Sequence, residues 1–260
     1  MVEKRTPRRW SPMLWAMIAL PLWAVLAMLP AALAAALSGT VEPSALWLIP
    51  GMAVATLLLL RVDRRVGPAG PAARFWPTVH WWSAAAALAG VGTMILASEV
   101  GNILMSLESR VGLPLEAVKP MEPWTLGGLT LVQILGLTAV LHGVVQRSLS
   151  LRLPGRWAVV GTVALGAFFG GTGLAIQMAA LLVLPVWLFS RTGALLPSLM
   201  AMLPQAIVPL LAACGLELGI PGFDDTQSAW QPVWFDILGA VLLAAGAGPL
   251  LRAFDTEPPR

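Results

Sequence analysis

Residues 12–37 read PMLWAMIALPLWAVLAMLPAALAAAL, twenty-six positions without a single charge. A helix of that length, rising 1.5 Å per residue, extends about 39 Å. That is enough to cross the roughly 30 Å hydrocarbon layer of a bilayer. Pro21 and Pro30 interrupt the run, which a membrane helix tolerates because neighbouring helices and side chains satisfy the freed backbone groups. Lys4, Arg5, Arg8 and Arg9 precede it, so a cleavable secretory signal is a competing reading. A signal core is usually about 7–15 residues long, and the longer run here favours an uncleaved first span.

Seven further apolar runs follow: Ala45 to Leu60, Val79 to Ala97, Trp124 to Val145, Trp157 to Thr172, Ala175 to Phe189, Leu195 to Leu216, and Val233 to Leu251. The expected fold is therefore all-α, a polytopic membrane helical bundle of about eight transmembrane helices forming one domain over 1–260. Whole-chain composition agrees. Of 260 residues 58% are hydrophobic and 11% charged, with a mean hydropathy of +0.80, whereas a soluble domain carries about 25% charged residues. The 12 Trp suit the water–lipid boundary. One cysteine, Cys214, excludes an internal disulfide and a multi-thiolate metal site.

The charges give the chain a direction. With the amino terminus inside, the inner segments hold Lys4, Arg5, Arg8, Arg9, Arg61, Arg64, Arg65, Arg74, Arg147, Arg152, Arg156, Arg191, Arg252 and Arg260. Only Arg110 and Lys119 fall outside, among Glu42, Glu99, Glu108, Glu116, Glu122, Glu217, Asp224 and Asp225. Basic residues in short loops mark the cytoplasmic side, so a cytoplasmic-membrane protein with both termini in the cytoplasm is expected. The pI near 10 follows from these orientation signals, and no nucleic-acid partner is inferred. The outer segment Glu99 to Pro123 carries Val100, Ile103, Leu104 and Leu107 at helical spacing. It either extends the third helix or lies at the interface.

Few groups in the spans can do chemistry. His142, near the inner end of the fourth, is a candidate ligand or base, against an ordinary role as a hydrogen-bonded bundle histidine. His80 stands beside Trp81 and Trp82 as an expected interfacial anchor. No carboxylate is expected at the inner end near His142, and Asp236 falls at the opposite end. With two histidines and one cysteine in the chain, no metal site and no cofactor are inferred, since zinc takes three or four donors. Ser148 and Ser150 lack an orienting acid for a catalytic triad. Gly170-Gly171-Thr172-Gly173 reads as a tight outer turn, and Gln133, Gln177 and Gln205 suit interhelical hydrogen bonds.

Arg147-Ser-Leu-Ser-Leu-Arg-Leu, an apolar helix pair, and then Arg191-Thr-Gly-Ala-Leu-Leu-Pro-Ser-Leu-Met-Ala resemble the core of the CPBP family. These are CAAX prenyl proteases and bacteriocin-processing intramembrane proteases. The likeness covers about 125–215 and implies an eight-span core with its site near the cytoplasmic face. In the family a Glu-Glu-x-x-x-Arg segment, a Phe-x-x-x-His segment and a His-x-x-x-Asn segment carry the chemistry. Placing Arg147 on the family arginine puts His142 and Gly143 on the glutamates. The first family histidine falls near Thr172 or Gly173 and the second on Met202, with the asparagine on Gln205 or Ala206. Glycine and methionine cannot accept a proton as a general base must, and arginine stays protonated.

The resemblance thus implies a non-catalytic family member, with His142, Arg147, Met202 and Gln205 lining a former cavity. Its expected role is a binding or assembly subunit for a membrane-protein partner or a lipid or prenyl ligand. The alternatives are an active intramembrane peptidase using an altered site around His142 and Arg147, and a small-solute transporter component. The last is disfavoured by the lack of an internal repeat.

Overall fold

The computed structural model describes residues 10–38, 45–111, 122–169, 175–216, 218–223 and 229–256. Among them nine helices form: α1 Pro12–Ser38, α2 Ala45–Val66, α3 Trp81–Val111, α4 Pro123–Ser150, α5 Gly155–Phe169, α6 Ala175–Thr192, α7 Leu195–Met202, α8 Pro204–Ala213 and α9 Val233–Thr256. The chain is an all-α, multi-pass membrane bundle. Each of the eight apolar runs became helix, with two departures from eight full spans. Among the described residues α5 has 15 residues, about 22 Å of helix, short of spanning length. The seventh run is broken between α7 and α8 by a bend of 43°. Pro204 causes it, since it has no N–H to donate to the carbonyl four residues back and its ring clashes there. Six helices of spanning length remain, or seven counting the bent pair.

Several runs also proved longer than their apolar stretches. α2 continues through Arg61, Arg64 and Arg65 to Val66, and α9 to Thr256. α3 extends to Val111, so the first part of the outer segment 99–123 does prolong the third helix. The Gly170–Gly173 turn and the four basic residues at the amino terminus lie outside the described residues.

Small residues set the packing, as expected where lipid removes the hydrophobic drive between helices. On α1, Ala19, Trp23, Ala27, Ala31 and Ala35 repeat every fourth position and are buried. α2 comes so close to this stripe that a Cβ on Gly51 would run into the Ala27 carbonyl. α3 and α9 meet the same way, with Gly92 against Gly239 and Leu243, and Gly246 against Ala85 and Ala89. One core cluster joins α1, α2 and α4 to α5–α8. A second joins Trp82, Ala86 and Ala89 of α3 to Leu184, Leu188, Ala201, Leu250 and Phe254, so α6 and α7 belong to both. α4 is the central helix, 61% buried across its span against 22–39% for the other five. The large exposed side chains of α1 and α9, such as Val25, Leu33, Val233 and Ile237, face where lipid would be.

Contacts between loops identify one end of the bundle. Trp10 N–H donates to the Val66 carbonyl (3.0 Å), and Leu151 packs over Gly70. The segment between α2 and α3 pairs with the joint between α6 and α7: Arg74 N–H donates to Gly193 O at 3.1 Å, Leu195 N–H to Arg74 O at 2.8 Å, and Leu196 N–H to Phe75 O at 3.0 Å. Gly193 ends α6 at φ +60°, a left-handed conformation that suits glycine. Arg61, Arg64, Arg65, Arg74, Arg147, Arg152, Arg156 and Arg191 all lie at or near this basic end. The opposite end gathers Ser98, Glu99, Asn102 and Gln231: the Glu99 carboxylate accepts from Asn102 Nδ2 (3.0 Å) and from Gln231 N–H (3.1 Å), and Gln231 Nε2 donates to Ser98 Oγ.

Candidate functional site

The end of α4 at the basic end of the bundle carries the site. Over Thr138–Gln146 the helix widens to a π-type turn, a form often found at functional positions. Thr138, His142 and Gln146 are all buried there. Gln146 Nε2 donates to the Val186 carbonyl on α6 at 2.7 Å, which turns Gln146 Oε1 toward His142 Nδ1, 2.8 Å away. An amide oxygen only accepts, so Nδ1 carries the proton and Nε2 presents a lone pair. That lone pair is buried with no hydrogen-bond partner. The ring stacks on Phe189 with centroids 5.5 Å apart, and a Cβ on the adjacent buried Gly143 would meet nothing within 4 Å.

One turn on, Arg147 is paired with a carboxylate. Its Nη2 donates to Asp63 Oδ2 at 2.7 Å and to Oδ1 at 2.9 Å, and Trp15 Nε1 donates to the same Oδ1 at 2.8 Å. The expectation of no carboxylate at the inner end is therefore wrong. Asp63 stands there, with its side chain 5% exposed. It is not bonded to His142, whose hydrogen bond goes to Gln146.

The other implied residues separate. Met202 is buried on α7 beside the π-type turn, where its sulfur lies 3.6 Å from Thr138 Oγ1. Gln205, half-buried on α8, forms no hydrogen bond to His142 or Arg147. The structure thus places His142 and Arg147 on α4 and Met202 of α7 against Thr138 of the same helix, and leaves Gln205 without a bond to any of them. The interhelical glutamine bonds fall to Gln146 and Gln231 rather than to Gln133 or Gln205, while Gln177 packs its amide on Gly101. His80 is exposed at the basic end, its ring 6.3 Å from Trp76. Asp236 begins α9 at the opposite end, with Oδ1 buried and unpartnered. Among the described residues no three of His, Cys, Asp and Glu converge as metal ligands would.

Asp63 was within reach of sequence reasoning. Ala55 and Leu59 of α2 are fully buried, and four residues further the same stripe arrives at Asp63. It stands among Arg61, Arg64 and Arg65 and was not considered among the charges. Gln146 likewise continues the stripe of Thr138 and His142.

Beside Arg147 a cavity of about 540 Å³ opens at the basic end, lined by Pro71–Arg74, Arg147, Ser150, Leu151 and Phe189–Gly193. Comparison with protein-family models, curated proteins and solved structures finds no match to this chain.

Proposed function

We propose that this chain is a non-catalytic relative of the CPBP membrane proteases, a scaffold holding a lipid or a partner's membrane segment at the cytoplasmic end of its bundle. In this reading it sits in the cytoplasmic membrane with both termini inside, as the gathering of arginines at one end supports. The observation that carries it is the commitment of Asp63. A water-activating carboxylate must reach its water and substrate, and Asp63, buried, is instead held against Arg147 and Trp15. His142 is 0% exposed and sealed under Phe189.

The test is reconstitution with prenylated and membrane-embedded peptides, together with purification in mild detergent. No cleavage and a stoichiometric membrane partner are expected. Turnover abolished by His142→Ala would sink the proposal. It would establish the second reading, an altered peptidase, which the unpartnered Nε2 of His142 beside the open space at Gly143 favours.

A further inference from the structure

The cavity at the basic end combines an apolar wall with a charge imbalance. Arg147 is neutralised by Asp63. Arg74 and Arg191 line the same space, and among the described residues neither has a carboxylate partner. Arg74 is held in place from both sides of its Cα: its backbone pairs with Gly193 and Leu195, and its Nη2 donates to the Thr192 carbonyl at 3.2 Å. Two guanidinium groups lining one cavity without a carboxylate favour an anion there, and their fork geometry suits phosphate oxygens.

The hydroxyls narrow the ligand further. Ser150 Oγ donates to the Gln146 carbonyl (2.8 Å) and Ser190 Oγ to the Trp187 carbonyl (2.7 Å). Their protons are used within their own helices, so toward the cavity they can only accept. The site therefore offers donors for an anion and acceptors for hydroxyl groups. Phe189 and Leu151 supply an apolar wall, and the site lies where a headgroup would lie if the arginines face the cytoplasm.

We propose that this cavity binds the headgroup of an anionic glycerophospholipid of the inner leaflet, with the phosphate between Arg74 and Arg191 and headgroup hydroxyls on Ser150 and Ser190. The inference rests on the scaffold reading and names its ligand.

Native mass spectrometry of the full chain in mild detergent, with phosphatidylglycerol and phosphatidylcholine at equal concentration, tests it. One phosphatidylglycerol should be retained preferentially. Each interfacial arginine contributes about fivefold, so Arg74→Gln with Arg191→Gln should lower retention about twenty-fivefold, while Arg64→Gln outside the cavity leaves it unchanged. Arg191→Gln alone keeps the Arg74–Thr192 contact and should lose about fivefold, which serves if the double variant folds poorly. Equal retention of the two lipids, a preference unaffected by these variants, or displacement of the lipid by inorganic phosphate or by a peptide carboxylate overturns the assignment. Those failures leave the scaffold reading to the peptidase and co-purification assays.

Discussion

Asp63 on α2 and Arg147 on α4, 84 residues apart in sequence, form an ion pair of 2.7 Å at the basic end of the bundle. Trp15 completes the cluster from α1, so three helices are keyed to one carboxylate. Breaking a buried pair strands a charge and costs about 3–5 kcal/mol, whereas replacing both members by apolar groups is often neutral. Arg147 is partly exposed, with 15% of its side chain accessible, so the lower end applies. Asp63→Leu should cost about 3 kcal/mol and Arg147→Met a similar amount, with the double variant regaining most of the loss. Thermal unfolding in detergent measures this, and a double variant no more stable than either single one would show that the pair is not the coupled unit.

The Val186–Gln146–His142 relay fixes a tautomer. Nitrogen NMR of histidine-labelled protein should show His142 neutral with its proton on Nδ1. Gln146→Leu removes the acceptor and leaves the buried His142 Nδ1–H unpaired, so it should mix the tautomers and cost about 1–3 kcal/mol. An unchanged histidine spectrum in that variant would mean that something else orients the ring.

Two glycines in α9 should respond oppositely. A Cβ on Gly246 would collide with Ala85 and Ala89 of α3, while one on Gly248 meets nothing within 4 Å. Gly246→Ala is expected to destabilise by about 1–3 kcal/mol through overpacking, and Gly248→Ala to be neutral or stabilising by up to about 1 kcal/mol. Equal melting temperatures for the two variants would contradict the close approach of α3 and α9.

Orientation has its own readout. Cys214 is exposed just after α8, at the end away from the arginines. In intact cells a membrane-impermeant maleimide should label it directly. Arg152→Cys in a Cys214→Ser background should react only after permeabilisation. The reverse pattern would invert the proposed topology.

The bundle itself was legible, because a bilayer allows few solutions and uncharged runs of this length declare themselves. What escaped the sequence arose from relations between helices. The bend at Pro204 was hidden inside an unbroken apolar run, and membrane helices often carry proline without breaking, as α1 does at Pro21 and Pro30. Arg147 and His142 were identified as candidates, but Asp63, which decides what Arg147 can do, stands among three arginines and was not considered. Gln205 was placed by spacing from Pro197, and the change of direction after Leu203 takes it off that line.

The backbone pairing of Arg74 with the Gly193–Leu196 joint makes the connector between α2 and α3 a strut. Arg74 and Phe75 are clamped to that joint, while Gly70 lies beneath Leu151, so this stretch cannot gain or lose residues independently of its neighbours. A tilt of α6 would carry the strut along, and both rims of the cleft would travel as one body. A single-residue insertion at Ala72 or Ala73 should therefore disturb the protein more than a change of side chain there, although both residues sit in a surface loop.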